Sequence, residues 1–150
     1  MTKTSPLRRR ESLTRLGVDK AIYTASEKIS DLIHSSAFPE SSTDGYIDLW
    51  ELESVVSTIF TETINELTNI DPATGEEFAF QIRNRPSLLD DIVSLVLDCI
   101  KDAFGSSIEI DYPTPRIISL RLFSSRSKMN FIKREFRITI YEVLVGLVRR

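Results

Sequence analysis

Carboxylates are the main chemical resource of this chain, and they crowd into one stretch: between Val18 and Tyr112, nineteen Asp and Glu face five Lys and Arg. Two adjacent pairs, Glu76-Glu77 and Asp90-Asp91, offer the oxygen donors that a hard cation such as Mg²⁺ takes. Asp90 and Asp91 also fall in the first turn of an expected helix, where the macrodipole favours acids without any ligand, and that role accounts for them. His34 is the only histidine and Cys99 the only cysteine. A catalytic base or a zinc site needs partners that neither has, so His34 reads as a solvated imidazole near a helix end and Cys99 as a small hydrophobe. The five glycines are isolated, so no phosphate-cradling loop can be built, and no G-x-S-x-G elbow occurs. The expectation is a non-enzymatic protein without a cofactor.

One stretch has ligand spacing. With Gly45 as the sixth position of a loop opening at Glu40, the oxygen-bearing positions fall on Ser42, Asp44, the carbonyl of Tyr46, Asp48 and Glu51, with Ile47 at the apolar eighth. The stretch resembles an EF-hand calcium loop, and the resemblance implies those five residues as ligands. Glu40 stands where Asp is expected, and Pro39 interrupts the incoming helix. The same Asp48 and Glu51 are spaced as a helix capping box, so the plain reading is a glycine turn followed by a cap. A second fragment, Asp71 to Glu77, resembles the arm tip of HU-type DNA-bending proteins; it is read as a common turn and carries no function over.

The basic residues lie at the two ends of the chain. Lys3, Arg8, Arg9, Arg10 and Arg15 precede the acidic stretch with only Glu11 among them, and nine Lys and Arg follow it against Glu135 and Glu142. The formal net charge of -3 conceals this separation. Arg8, Arg9 and Arg10 form one compact cluster; Arg121, Arg126, Lys128, Lys133, Arg134 and Arg137 crowd around an expected strand-to-helix junction. Gathered into one positive surface, they would grip an acidic protein surface in a larger assembly, including another copy of this chain, or the phosphates of DNA or RNA. The leading expectation is therefore an adaptor or structural subunit that docks through basic termini and an apolar C-terminal helix. A nucleic-acid-binding protein using the same arm is the alternative, and an EF-hand-like module a further one.

Apolar periodicity supplies the elements that must position these groups. Residues 1–16 lack a period and read as a flexible basic arm before a single α-rich domain over 17–150. Val18, Ala21, Ile22, Ala25, Ile29, Leu32 and Ile33 recur at helical steps, which predicts a helix from Val18 to Ser36 ended by Phe38-Pro39. A second helix is predicted over 49–67 with Asp48 as N-cap, and a third from Ser87 to Phe104 with Gly105 just beyond it. Phe78, Phe80 and Ile82 alternate as in a short strand. So do residues 108–112 and 118–122, which read as a pair. The segment 128–149 carries both periods, and its length favours a helix; apolar groups on more than one side would place it centrally or at a subunit interface. The fold class is thus α+β, mostly α: about four amphipathic helices, one small two- or three-stranded sheet and a basic N-terminal arm. No apolar run approaches the roughly 20 residues a bilayer span needs. A lone cysteine points to the cytoplasm or another reducing intracellular compartment, with a virion or other assembly as further settings.

Overall fold

Four helices lie side by side, each antiparallel to its neighbour, and a small sheet closes one end of their core. The computed structural model describes residues 6–148, and for residues 6–9 the helix path alone. The elements run α1 (Pro6–Ala37), β1 (Asp44–Asp48), α2 (Leu49–Ile70), α3 (Pro72–Arg83), α4 (Leu88–Phe104), a 3₁₀ turn (Gly105–Ser107), β2 (Ile108–Thr114), β3 (Ile117–Leu122) and α5 (Met129–Val145). The mostly helical α+β class expected from periodicity is the one found. Five α-helices rather than four are present among the described residues.

Contacts between side chains fix the lateral order as α2, α1, α5, α4. Lys28 meets Glu62 at 3.6 Å and Gly17 lies under Ile70, so α1 and α2 run antiparallel. Tyr23 packs edge-on to Tyr141, and the Ser30 hydroxyl donates to the Lys133 carbonyl at 3.4 Å, so α1 and α5 do the same. Cys99 Sγ lies 3.5 Å from Thr139 Oγ1, which fixes α4 beside α5. Small residues make the α1 to α5 approach possible. Ser26 and Ser30 are buried there, and Ser26 satisfies its hydroxyl on the Ile22 carbonyl at 2.8 Å instead of carrying a bulky group into the seam. The core lies between these helices and the sheet, through Ile22, Ile29, Ile33, Phe78, Ile92, Ile100, Leu120, Ile132, Phe136 and Ile140.

The sheet has the order β1-β3-β2 and is antiparallel throughout. Residues 108–114 and 117–122 pair as expected, from Ile108 opposite Leu122 to Thr114 opposite Ile117, with an irregularity between Asp111 and Thr114. The third strand, β1, has no alternating signature, since Ile47 is its one large buried residue. It exists because β3 offers a free edge. Asp44 to Asp48 occupy it opposite Arg121 to Ile117, where a bare edge would leave backbone groups unpaired.

Two expectations are corrected. The strand predicted over Phe78 to Ile82 and the turn predicted over Asp71 to Gly75 are both helix α3. Pro72 opens it at the position where a missing N–H costs nothing, and Thr74 Oγ1 donates to Asp71 Oδ2 at 2.6 Å. Phe78 is buried against Phe60 edge to face while Phe80 is exposed, and Gln81 rather than Ile82 completes the inner face. Local alternation lost to the tertiary contact with α2. The first helix also begins at Pro6, twelve residues before Val18, the first buried residue among those whose side chains are described. Leu, Arg, Glu and Ser tolerate a helix without burying a face, so a period search detects only the part that packs.

Candidate interaction surfaces

The basic residues among those described do not form one surface. Arg10 stands exposed near the start of α1, and the side chains of Arg8 and Arg9 lie outside those described. Because α1 and α5 are antiparallel, Arg121, Arg126, Lys128 and Lys133 gather towards the other end of α1, around His34 and Phe38, while Arg137 lies midway along α1 beside Tyr23 and Glu27. The 24 residues from Arg10 to His34 correspond to roughly 36 Å of helix. Among the described residues, the cations expected to form a single positive surface are therefore spread along α1, the physical reason being the length of that helix.

Most of the second group has structural work. Arg121 donates from Nε to Asp44 Oδ1 at 2.9 Å across the β1–β3 pair, and that hydrogen bond and charge push its guanidinium pKa up. Arg126 donates through Nη1 to the Pro39 carbonyl and through Nη2 to the Phe38 carbonyl, both at 3.1 Å, which clamps the exit of α1. Lys128 Nζ donates to the Ala103 carbonyl at 2.7 Å and so satisfies a carbonyl in the last turn of α4, where a cation also suits the helix dipole. Arg137 donates to the Tyr23 hydroxyl at 3.3 Å and lies 3.9 Å from Glu27, an ion pair too long for a hydrogen bond; Tyr23 is the first cause of its raised pKa. Lys133 is half-buried beside α1. Arg134 is exposed and has no ion pair among the described residues.

The five residues of the calcium-loop resemblance are not brought round a common centre. Asp44, Tyr46 and Asp48 are spread along strand β1, with Tyr46 in the ladder opposite Ser119. Ser42 Oγ accepts the Asp44 N–H at 3.0 Å, and Asp48 Oδ1 accepts the N–H groups of Trp50 and Glu51 at 3.0 and 3.3 Å, the N-cap that the sequence predicts. Glu51 is exposed on the first turn of α2. Among the described residues no group of three or more His, Cys, Asp or Glu could hold a metal ion. The geometry expected from the EF-hand spacing is thus replaced by a strand, because pairing with β3 extends the backbone that a calcium loop would coil.

His34 is also unlike its sequence reading. It is half-buried: its ring packs against Phe38 and Phe136, and Nε2 is buried without a hydrogen-bond partner among the described residues. Its pKa falls below the ordinary 6.5, first through burial, then through the charges of Lys133 and Arg126. Asp31 and the Met129 backbone pull the other way without prevailing. Since the folded state favours the neutral ring, this group contributes stability that is fully present above 6.5 and is lost as pH drops through the depressed folded pKa. His34→Gln is expected to flatten the acid limb of a pH–stability curve measured by urea unfolding; an unchanged limb would contradict this.

The sequence reading anticipated apolar groups on more than one side of α5 and missed the exposed leucines at the start of α1. Leu13 and Leu16 on the first turns of α1 are 61% and 66% exposed, while Phe131 and Ile138 on the outward side of α5 are 52% and 46% exposed. Near the α2 start, Arg116 lies over the Trp50 ring at 5.5 Å from its centroid. A cleft of about 550 Å³ opens beside it, with Leu49, Asp90, Val93, Tyr112 and Ile118 in its walls. Nothing local joins Arg116 to Trp50, because the β3 edge brings them together. Comparison with protein-family models, with curated proteins and with solved structures gave no match.

Proposed function

We propose that this chain is a non-enzymatic interaction subunit, an adaptor or structural piece of a larger assembly, with two docking surfaces: the projecting start of α1 and the outward face of α5. The observation that carries the first surface is that α1 continues for about three turns past the point where α2 and α5 end, with Gly17 under Ile70 and Val18 as the first buried residue among those whose side chains are described. One side of this stretch shares a cleft with Asp71, Thr74 and Val148, while the other displays Leu13 and Leu16, with Arg10 and Arg15 nearby. Exposed apolar side chains with Arg10 and Arg15 nearby suit an acidic protein surface, where burial gives affinity and charge gives speed and orientation.

Burying each leucine contributes roughly 1.5 kcal/mol or more. Leu13→Glu with Leu16→Glu is accordingly expected to weaken capture of the native partner by about 100-fold or more. The check is affinity purification of the tagged chain from its own cells, with the recovered proteins identified and rebound in purified form. Recovery of the same partners by both forms would overturn the reading. A second reading, nucleic acid on the same arm, is favoured by the Arg8-Arg9-Arg10 run. Fluorescence titration with labelled duplex and single strands separates the two, since phosphate binding must weaken steeply with salt.

A further inference from the structure

We propose that the outward face of α4 and α5 is a self-complementary surface that pairs with the same face of a second copy of this chain. The inference rests on the reading of the α5 face as a docking surface and names its occupant. At roughly 100° per residue, Phe131, Arg134, Ile138, Tyr141 and Val145 lie within about 80° of one another, opposite the buried Ile132, Phe136, Ile140 and Leu144. Their spacing of three and four residues is the seam pattern of packed helix pairs. On α4, Asp91, Leu95, Asp98 and Asp102 lie within about 60°, opposite Val96 and Ile100. Leu95 is 41% exposed in the middle of this acidic stripe. Asp91 is engaged by Arg85 at 3.3 Å, but Asp98, Asp102 and Arg134 have no ion pair among the described residues.

The two stripes run side by side on one surface, and their order selects the symmetry. A two-fold axis lying between α4 and α5 and parallel to them places α5 of each copy over α4 of the other; an axis across the helices would set acidic stripe on acidic stripe. Height along the axis is kept by that operation, so the level at which Cys99 meets Thr139 serves both contacts. Counting from it, Asp102 comes level with residue 136, within reach of the long Arg134 side chain, and Asp98 one turn further along, level with residue 140. Leu95 comes level with residue 143, between Tyr141 and Val145. Acid meets arginine at one end of the seam and leucine meets the apolar groups at the other. Glu135 and Glu142, on the shoulder of α5 nearest α4, add to the acidic half.

Each helix of 17 residues is about 26 Å long, so a two-helix face sits at the small end of specific interfaces, and the dimer is expected to be concentration-dependent in the micromolar range. Sedimentation equilibrium of the full chain up to about 1 mM reads this directly. The expected results are dimerisation of the wild type, a tenfold or greater weakening by Arg134→Glu and by the pair Asp98→Arg with Asp102→Arg, and recovery when all three changes are combined. Ile138→Asp is expected to abolish association; should it unfold the chain, the charge-exchange series decides alone, all its positions being exposed. A wild type monomeric throughout, or a dimer indifferent to these changes, overturns the proposal. Partner capture by α1 is read in a separate assay with Leu13 and Leu16 variants, so the two readings fail independently.

Discussion

Gly45→Ala is expected to cost about 3 kcal/mol or more of folding stability, the largest loss for any single added methyl group. The glycine sits where β1 crosses the end of α1, and a Cβ there would lie 2.7 Å from the Ser36 carbonyl oxygen and closer still to that of Ala37. Both neighbours are backbone, so no rotamer change relieves the clash. The strand must move off α1, and moving it breaks the ladder with β3 that runs from Asp44 opposite Arg121 to Asp48 opposite Ile117. Urea unfolding followed by circular dichroism measures the loss, and a stability within about 0.5 kcal/mol of wild type would contradict it. Gly105 supplies the contrast. Its φ of +53° is the only positive value among the described residues, yet a Cβ added there would meet no atom within 4 Å. Gly105→Ala therefore meets conformational strain alone, roughly 1–3 kcal/mol. The glycine at the sixth place of the calcium-loop spacing thus serves a close approach of two backbones, and added calcium is expected to leave the midpoint of either variant where it was.

Phe136→Ala is expected to destabilise by about 3–5 kcal/mol, since the ring is fully buried on the inner side of α5 and its removal leaves a cavity between α1 and α5. The same change has a second effect. Phe136 is one of the two rings that enclose His34, so its loss lets water reach the imidazole and relaxes the burial that holds the pKa down. Guanidinium unfolding across pH is expected to show a lower plateau and a shallower acid limb together; a loss under about 1 kcal/mol would mean that the site had collapsed around the gap. Phe131→Ala on the opposite side of the same helix is expected to change stability by no more than about 0.5 kcal/mol, because the ring is half exposed. Two phenylalanines five residues apart thus separate folding from association.

The split of the basic residues bears on how the chain would dock. Arg121, Arg126, Lys128 and Arg137 are held by Asp44, by the Phe38 and Pro39 carbonyls, by the Ala103 carbonyl, and by Tyr23 with Glu27. Recruiting any of them to a partner would give up those bonds. Among the described residues Arg134 on α5 and Arg10 and Arg15 on α1 carry no such bond, and their helices also expose leucine, isoleucine or phenylalanine.

Helices α2, α4 and α5 were legible in the sequence because each buries one continuous face, and burying a face leaves a 3.6-residue period. Asp48 as the cap of α2 and the pairing of residues 108–112 with 118–122 were legible for similarly local reasons: a side chain bonding the next turn, and two alternating runs joined by a short connection. Three features were not. Strand β1 has one buried large side chain and becomes a strand only because β3 has an edge to offer. Helix α3 alternates locally like a strand, and its contact with Phe60 and Thr68 of α2 overrides that pattern. The fate of the cations was decided by distance alone: α1 is long enough to hold Arg10 and Arg126 at opposite ends, and no count of charges along a chain reports how far apart folding sets them. The sequence by itself determined which faces are apolar and where the signs of charge lie; only the tertiary structure decided which charges are already bonded and which apolar faces remain uncovered, because both depend on neighbours brought from dozens of residues away.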